Sequence, residues 1–116
     1  MSNKQMTAST SVRIRVNDTK VFGPGIAELL ERIDRCESIR TATTEMKIAY
    51  SKAWTMLRSA ERELGFKLLH SSTGGKGGGG AVLTEEGAQL LARYDELCRR
   101  MQAYGRRQFE ELFGEE

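Results

Sequence analysis

Val12, Ile14 and Val16 alternate with Arg13 and Arg15, a period of two that predicts a half-buried strand, and Asn17-Asp18-Thr19 supplies turn chemistry before Val21-Phe22. A short hairpin is the expected result. After it, Gly23-Pro24 puts a proline at the first position of a helix, and Ile26, Leu29, Leu30 and Ile33 recur at the spacing of one buried helical stripe. The first helix is therefore expected from about residue 24 to about residue 36. Ser38 is placed to cap a second, shorter helix with Ile39, Ala42 and Met46 facing inward, and Lys47-Ile48-Ala49 has the length of a helix-turn-helix connection.

A third helix is predicted to start near Tyr50. Along it Tyr50, Ala53, Trp54, Met56, Leu57, Ala60 and Leu64 collect on one side, and Ser51, Lys52, Thr55, Arg58, Ser59 and Arg62 on the other. Gly65 ends it as a C-cap glycine. The apolar stretch at 66–69, the glycine-rich run at 74–80 and Ala81-Val82-Leu83 then read as strand, loop and strand. Thr84 suits a helix N-cap, Glu85 and Glu86 suit the positive end of its dipole, and the segment to about Phe113 makes one helix of roughly 40 Å. Its seam, Leu90, Tyr94, Leu97, Met101 and Tyr104, advances by steps of four and three, and Leu91 and Cys98 widen it. Gly105 and Arg106-Arg107-Gln108 weaken that pattern, which leaves Phe109, Leu112 and Phe113 to a separate turn or another contact.

With 116 residues the chain is one domain, and 39% hydrophobic with 29% charged residues is ordinary globular usage. Lys+Arg 18 against Asp+Glu 16 leaves a net charge of +2, so a case for nucleic acid rests on where the charges sit. Two cysteines argue against a disulfide scaffold, and one histidine leaves little for a metal cage. No apolar run reaches the length that crosses a bilayer, and residues 1–10 hold no apolar core for a secretory signal. The expectation is a cytoplasmic, reduced protein with a loose tail at residues 1–10.

Hairpin, three helices with a short turn between the second and third, a two-stranded wing and a long closing helix form the order of a winged helix-turn-helix. The fold class is mainly α with small β: an N-terminal β-hairpin, a two-stranded wing and a long C-terminal dimerisation helix. In that geometry the third helix enters the DNA major groove, so hydroxyls and cations on its outer face reach base edges. Ser51, Lys52, Thr55, Arg58, Ser59 and Arg62 are the candidate readers. A plain solvated helix face is the bland competitor, since such faces are usually charged. Against it, the only acids, Glu61 and Glu63, sit at the edges of the face.

Six glycines in the seven residues 74–80 carry a large ordering entropy unless the backbone must approach something closely. The backbone amides of that run, with Lys76 within it and Lys67 before it, are expected to lie along phosphates or to enter the minor groove; the competing reading is a disordered linker. Gly75, Gly77 and Gly80 fit G-x-G-x-x-G only by repetition, and Ala81-Val82-Leu83 after them read as a strand and not as a helix N-terminus, so no nucleotide cofactor is expected. His70, Cys36 and Cys98 are far apart in sequence and lack a zinc spacing, and a Cys-His nucleophilic pair would need them to converge in space with an orienting third group, so the chain is not read as an enzyme. Trp54 belongs with the core face.

Phe22-Gly23-Pro24-Gly25 leading into 26–33, Ser38-Ile39, Tyr50-Ser51-Lys52-Ala53-Trp54 and above all Ser72-Thr73-Gly74-Gly75-Lys76-Gly77-Gly78-Gly79-Gly80-Ala81-Val82-Leu83-Thr84 carry a resemblance. Over about residues 12–100 the chain resembles the N-terminal DNA-binding domain of molybdate-responsive transcription regulators of the ModE type, itself similar to the winged helix of LysR-type regulators. The resemblance implies a homodimer on a palindromic double-stranded DNA operator, with the long helices forming the dimer. In that family molybdate-binding modules come after the winged helix, whereas this chain ends at Glu116, so molybdate is not expected as a ligand. Arg40, Thr41 and Thr44 stand where the family's second helix often has small residues.

The reading is a sequence-specific regulator with a tail at 1–10, a winged helix-turn-helix at 11–84 and a dimerisation helix at 85–116, without cofactor, metal or membrane. The near-neutral charge supports an alternative, a protein-interaction module that keeps the fold without specific DNA binding. A regulator sensing an effector at its dimer interface is a further reading, for which the sequence offers no ligand constellation.

Overall fold

The computed structural model describes residues 4–72 and 80–114. The hairpin pairs β1 (Ile14–Val16) with β2 (Thr19–Phe22), and Asn17 and Asp18 turn the chain with φ of 49° and 70°. Two successive left-handed residues match the natural twist of antiparallel strands, and Asn and Asp tolerate them best after glycine. Helix α1 (Pro24–Cys36) starts with the proline at its first position and ends on a left-handed Glu37, whose N–H donates to the Ile33 carbonyl. In α2 (Ile39–Met46) the Ser38 hydroxyl accepts from the Thr41 N–H at 3.0 Å, a side-chain cap. Lys47 then turns left-handed and Ile48 and Ala49 lead into α3 (Tyr50–Leu64), which stops at Gly65 with φ of 85°.

The wing is β3 (Leu69–Ser72) against β4 (Gly80–Leu83), in register from Leu69 opposite Leu83. It begins at Leu69, three residues later than the apolar run at 66–69 suggests. Phe66 and Lys67 make the corner after Gly65 instead. On its other side β4 is tied to the α1–α2 turn, with the Ala81 N–H donating to the Glu37 carbonyl and a bridge between Ser38 and Gly80. The wing is thereby fixed to the helix-turn-helix along β4, at the end of the strands away from Leu69 and Leu83.

Thr84 both donates to the Lys67 carbonyl and accepts from the Gly87 N–H, closing the start of α4 (Glu85–Phe113). A Cβ at Gly87 would sit 2.5 Å from the Leu68 carbonyl oxygen, so this crossing requires glycine. Phe22, Leu29, Leu30, Ile33, Leu57 and Leu68 are completely buried and draw on the hairpin, α1, α3 and the wing's approach. One continuous apolar core results.

Two expectations about α4 are corrected. The helix runs unbroken through Gly105 and Arg106-Arg107, so Phe109 and Phe113 stack within it at 5.1 Å and form no separate turn. A glycine lowers helix propensity by only about 1 kcal/mol, too little to break a 29-residue helix. The seam also divides. Tyr94 is buried in the chain's own core with Leu91, and Leu90 and Cys98 pack against it, whereas Leu97, Met101 and Tyr104 are exposed. The first half of α4 lies on α1 and the wing, and past it the helix projects beyond the body that could cover it. Residues 4–13 have no regular secondary structure, yet they are not wholly detached: a Cβ on Gly105 would meet the Thr10 methyl at 3.2 Å.

Candidate nucleic-acid interface

Helix α3 is held by Ala53, Leu57 and Ala60, which are buried at intervals of four and three. That anchoring turns Ser51, Lys52, Thr55, Arg58 and Arg62 to the exposed side, and Ser59 sits half-buried at its margin. The Thr55 hydroxyl donates to the Ser51 carbonyl at 3.1 Å, so its proton is held by the helix. Tyr50 departs from its expected place on the apolar side; it is exposed at the start of α3, edge-on to the half-buried Trp54.

The cations of this region differ from those behind it. Arg32 and Arg35 on α1 are held by Glu28 and Glu45, with Arg32 to Glu45 at 2.8 Å, and those carboxylates push the Arg32 pKa up. Lys52 and Arg58 form no ion pair among the described residues. Two arginines lie over aromatic rings instead: Arg58 stands 5.1 Å from the Trp54 centroid and Arg40 stands 4.3 Å from that of Tyr50. Such contacts hold a guanidinium in place without neutralising it. Arg40 joins the face from α2, ten residues before Tyr50, and was missed because only the fold of the turn brings the starts of α2 and α3 together.

The two acids at the edge behave differently. Glu61 points away from the outer face: its Oε2 accepts from the Leu68 N–H at 2.8 Å and from the Leu69 N–H at 3.4 Å, and its side chain is 15% exposed. Glu63 lies 3.8 Å from Arg62. Lys67 is exposed, with Nζ 3.9 Å from the other Glu61 oxygen. Lys76 lies outside the described residues. Among the described residues no cluster of His, Cys, Asp and Glu could hold a metal ion, and no helix is long and apolar enough to cross a membrane.

A helix-turn-helix whose second member presents hydroxyls together with Lys52 and Arg58, neither ion-paired with a described acid, braced by a wing tied to the α1–α2 turn, defines a winged helix-turn-helix of the DNA-binding class. Residues 27–88 match the bacterial regulatory helix-turn-helix proteins of the lysR family, and the chain belongs to that family. It is also similar to the transcriptional regulator ModE of Haemophilus influenzae, at 36% identity over 74% of this chain and 34% of that protein. With the molybdenum transport protein ModE of Herbaspirillum seropedicae it shares 42% identity over 62% of this chain and 27% of the relative. The DNA-binding transcriptional dual regulator ModE of Escherichia coli is 32% identical over 80% of this chain and 36% of its own length. The chain thus spans roughly a third of the length of these relatives.

Proposed function

We propose that the chain is the operator-reading part of a transcription regulator that acts as a homodimer on a palindromic site. The observation that carries this reading is the outer face of α3, where Lys52 and Arg58, in no ion pair among the described residues, stand beside Ser51 and Thr55 on a helix anchored by buried alanines and a leucine. Lys52, Thr55, Ser51 and Ser59 are assigned to base edges. Arg58 and Arg62, with Arg40 from α2, are assigned to phosphates or to guanine edges. Lys67 is assigned to the backbone beside the wing, as is Lys76. Dimerisation falls to the exposed Leu97, Met101 and Tyr104, with Leu90 and Tyr94 removed from that surface because they serve the chain's own core. Residues 11–84 would read DNA and 85–116 would join the copies. The ModE relatives support a regulator; we assign molybdate no residue of this segment, and no enzymatic step.

Selection of bound duplexes from a randomised pool, followed by gel-shift titration at several salt concentrations, tests the proposal. The expected result is an enriched inverted repeat whose half-sites lie about one helical turn, roughly 34 Å, or a multiple of it apart. Affinity should fall steeply with salt, by nearly one logarithmic unit per phosphate contact for each tenfold rise. A pool without enrichment and binding insensitive to salt would leave the fold as a protein-interaction module.

A further inference from the structure

Between β2, the start of α1 and α3 lies a cleft of about 460 Å³, within the range of small-molecule sites. Its floor is the buried edge of Phe22 and Ile26, and its walls are the half-buried Met46, Ile48 and Met56. Lys20 and Lys52 stand on its rim, both exposed and in no ion pair among the described residues, and no described aspartate or glutamate borders it. Thr55 and Ser59 add hydroxyls on the α3 side.

We infer that this cleft binds a small aromatic monocarboxylate. The charge pattern selects the anion: two ammonium groups without a described counter-charge flank one opening, so a carboxylate seated there gains charge-assisted hydrogen bonds and meets no acid. The apolar floor selects the body of the ligand, because a bare inorganic anion leaves that surface in water whereas a ring removes it. Met46 and Met56 favour a flat ring over a branched chain, since thioethers adapt their shape and make favourable contacts with aromatic edges.

The site shares Lys52, Thr55 and Ser59 with the face assigned to bases, so an occupied cleft withdraws them from DNA. That consequence rests on the proposed operator reading; the binding site itself does not. A ligand here would act by competition at the recognition helix and would need no separate sensor.

The test uses the 116-residue chain with carbon-13 methionine methyls, titrated with naphthoate. Saturable shifts of the Met46 and Met56 signals with Met101 unmoved are expected. Naphthylmethanol, of similar shape but uncharged, should bind at least about tenfold more weakly, and Lys20→Ala should weaken naphthoate at least about threefold with its methyl spectrum otherwise native. Inorganic phosphate should leave both methyls in place. Unmoved methyls at millimolar naphthoate, or equal binding of the alcohol, overturns the site. In a gel shift with duplex DNA, naphthoate should lower affinity in proportion to occupancy. Methyl shifts with unchanged DNA affinity would overturn the overlap alone, and failure to bind DNA in the absence of naphthoate would count against the operator reading and not against the cleft.

Discussion

The Tyr94 hydroxyl donates a 2.7 Å hydrogen bond to the Val12 carbonyl, joining α4 to the entry of the hairpin across 82 positions of the chain. The same ring meets Phe22 edge-on with centroids 5.0 Å apart. One side chain thus clips the N-terminal strand and the closing helix to a shared core. Burial of the phenol, and then its contact with Cys98, push its pKa up to about 12.

The sign of the resulting pH dependence is fixed. The unfolded phenol ionises near 10 and the folded one near 12, so the unfolded state releases its proton first as the pH rises. Tyr94 therefore contributes stability that is whole below about pH 10 and lost as the pH climbs through about 12, on the order of 3 kcal/mol. Tyr94→Phe should cost about 1 kcal/mol at neutral pH through the lost hydrogen bond, and should flatten the alkaline decline. Thermal unfolding of both proteins from about pH 8 to about pH 12 checks this. Parallel curves would show that another group governs the alkaline limb.

Glu61 makes a second long connection, from the recognition helix to the root of the wing. Glu61→Ala strips the acceptor from two backbone N–H groups and should destabilise by about 1–3 kcal/mol. Glu61→Gln keeps an acceptor while removing the charge, so it should recover most of that loss. The pair also separates electrostatics from positioning: both remove a negative charge near DNA, but only the alanine frees the wing root. Nonspecific affinity should rise with glutamine and fall back with alanine when both are measured by fluorescence anisotropy. Equal affinities for the two variants would mean that the wing does not depend on this anchor.

Much of the framework was legible because local chemistry decides it. Ser38, Gly65 and Thr84 end or begin helices through bonds to residues within four positions, and Asn17-Asp18 turns the hairpin by its own backbone preference. What escaped depends on distant partners. The spacing of Leu90, Tyr94 and Leu97 is the same whether a residue faces its own core or a second copy. Val12 and Phe22, far back in the chain, hold Tyr94 inward. The outward lean of Glu61 in the helical projection is reversed by the wing corner, where Leu68 and Leu69 present N–H groups that need an acceptor. Arg40 has the pattern of an ordinary exposed residue of α2, and only the turn sets it over Tyr50.

On the recognition helix, Lys52→Ala or Thr55→Ala should relax sequence preference and cost roughly 1–3 kcal/mol on the selected site if the side chain meets a base. Thr55→Ser discriminates further. Its hydroxyl can still donate to Ser51, so a loss on this change isolates the methyl, the group suited to a thymine methyl contact. Competition binding with selected and scrambled duplexes reads the difference. Equal losses on both would reassign Lys52 to phosphate.

The outer half of α4 provides the last test. Leu97, Met101 and Tyr104 are 38%, 43% and 54% exposed on one stripe of the projecting helix, and Leu112 and Phe113 beyond them are more exposed still. A run of large apolar side chains in water is costly unless a partner covers it, and a two-fold pairing of this helix with its mate covers the same stripe on both copies. Leu97→Glu puts a charge in that stripe without touching the chain's own core, because the inward residues are Leu91 and Tyr94. The variant should therefore keep its melting behaviour as a monomer and its helical signal while losing self-association, and should bind one half-site weakly. Leu91→Glu is the contrast, since it places the charge in the core and should unfold the body. Sedimentation equilibrium at tens of micromolar reads the result: wild-type protein sedimenting as a monomer defeats the dimer, and a Leu97→Glu protein that remains dimeric moves the interface off this stripe.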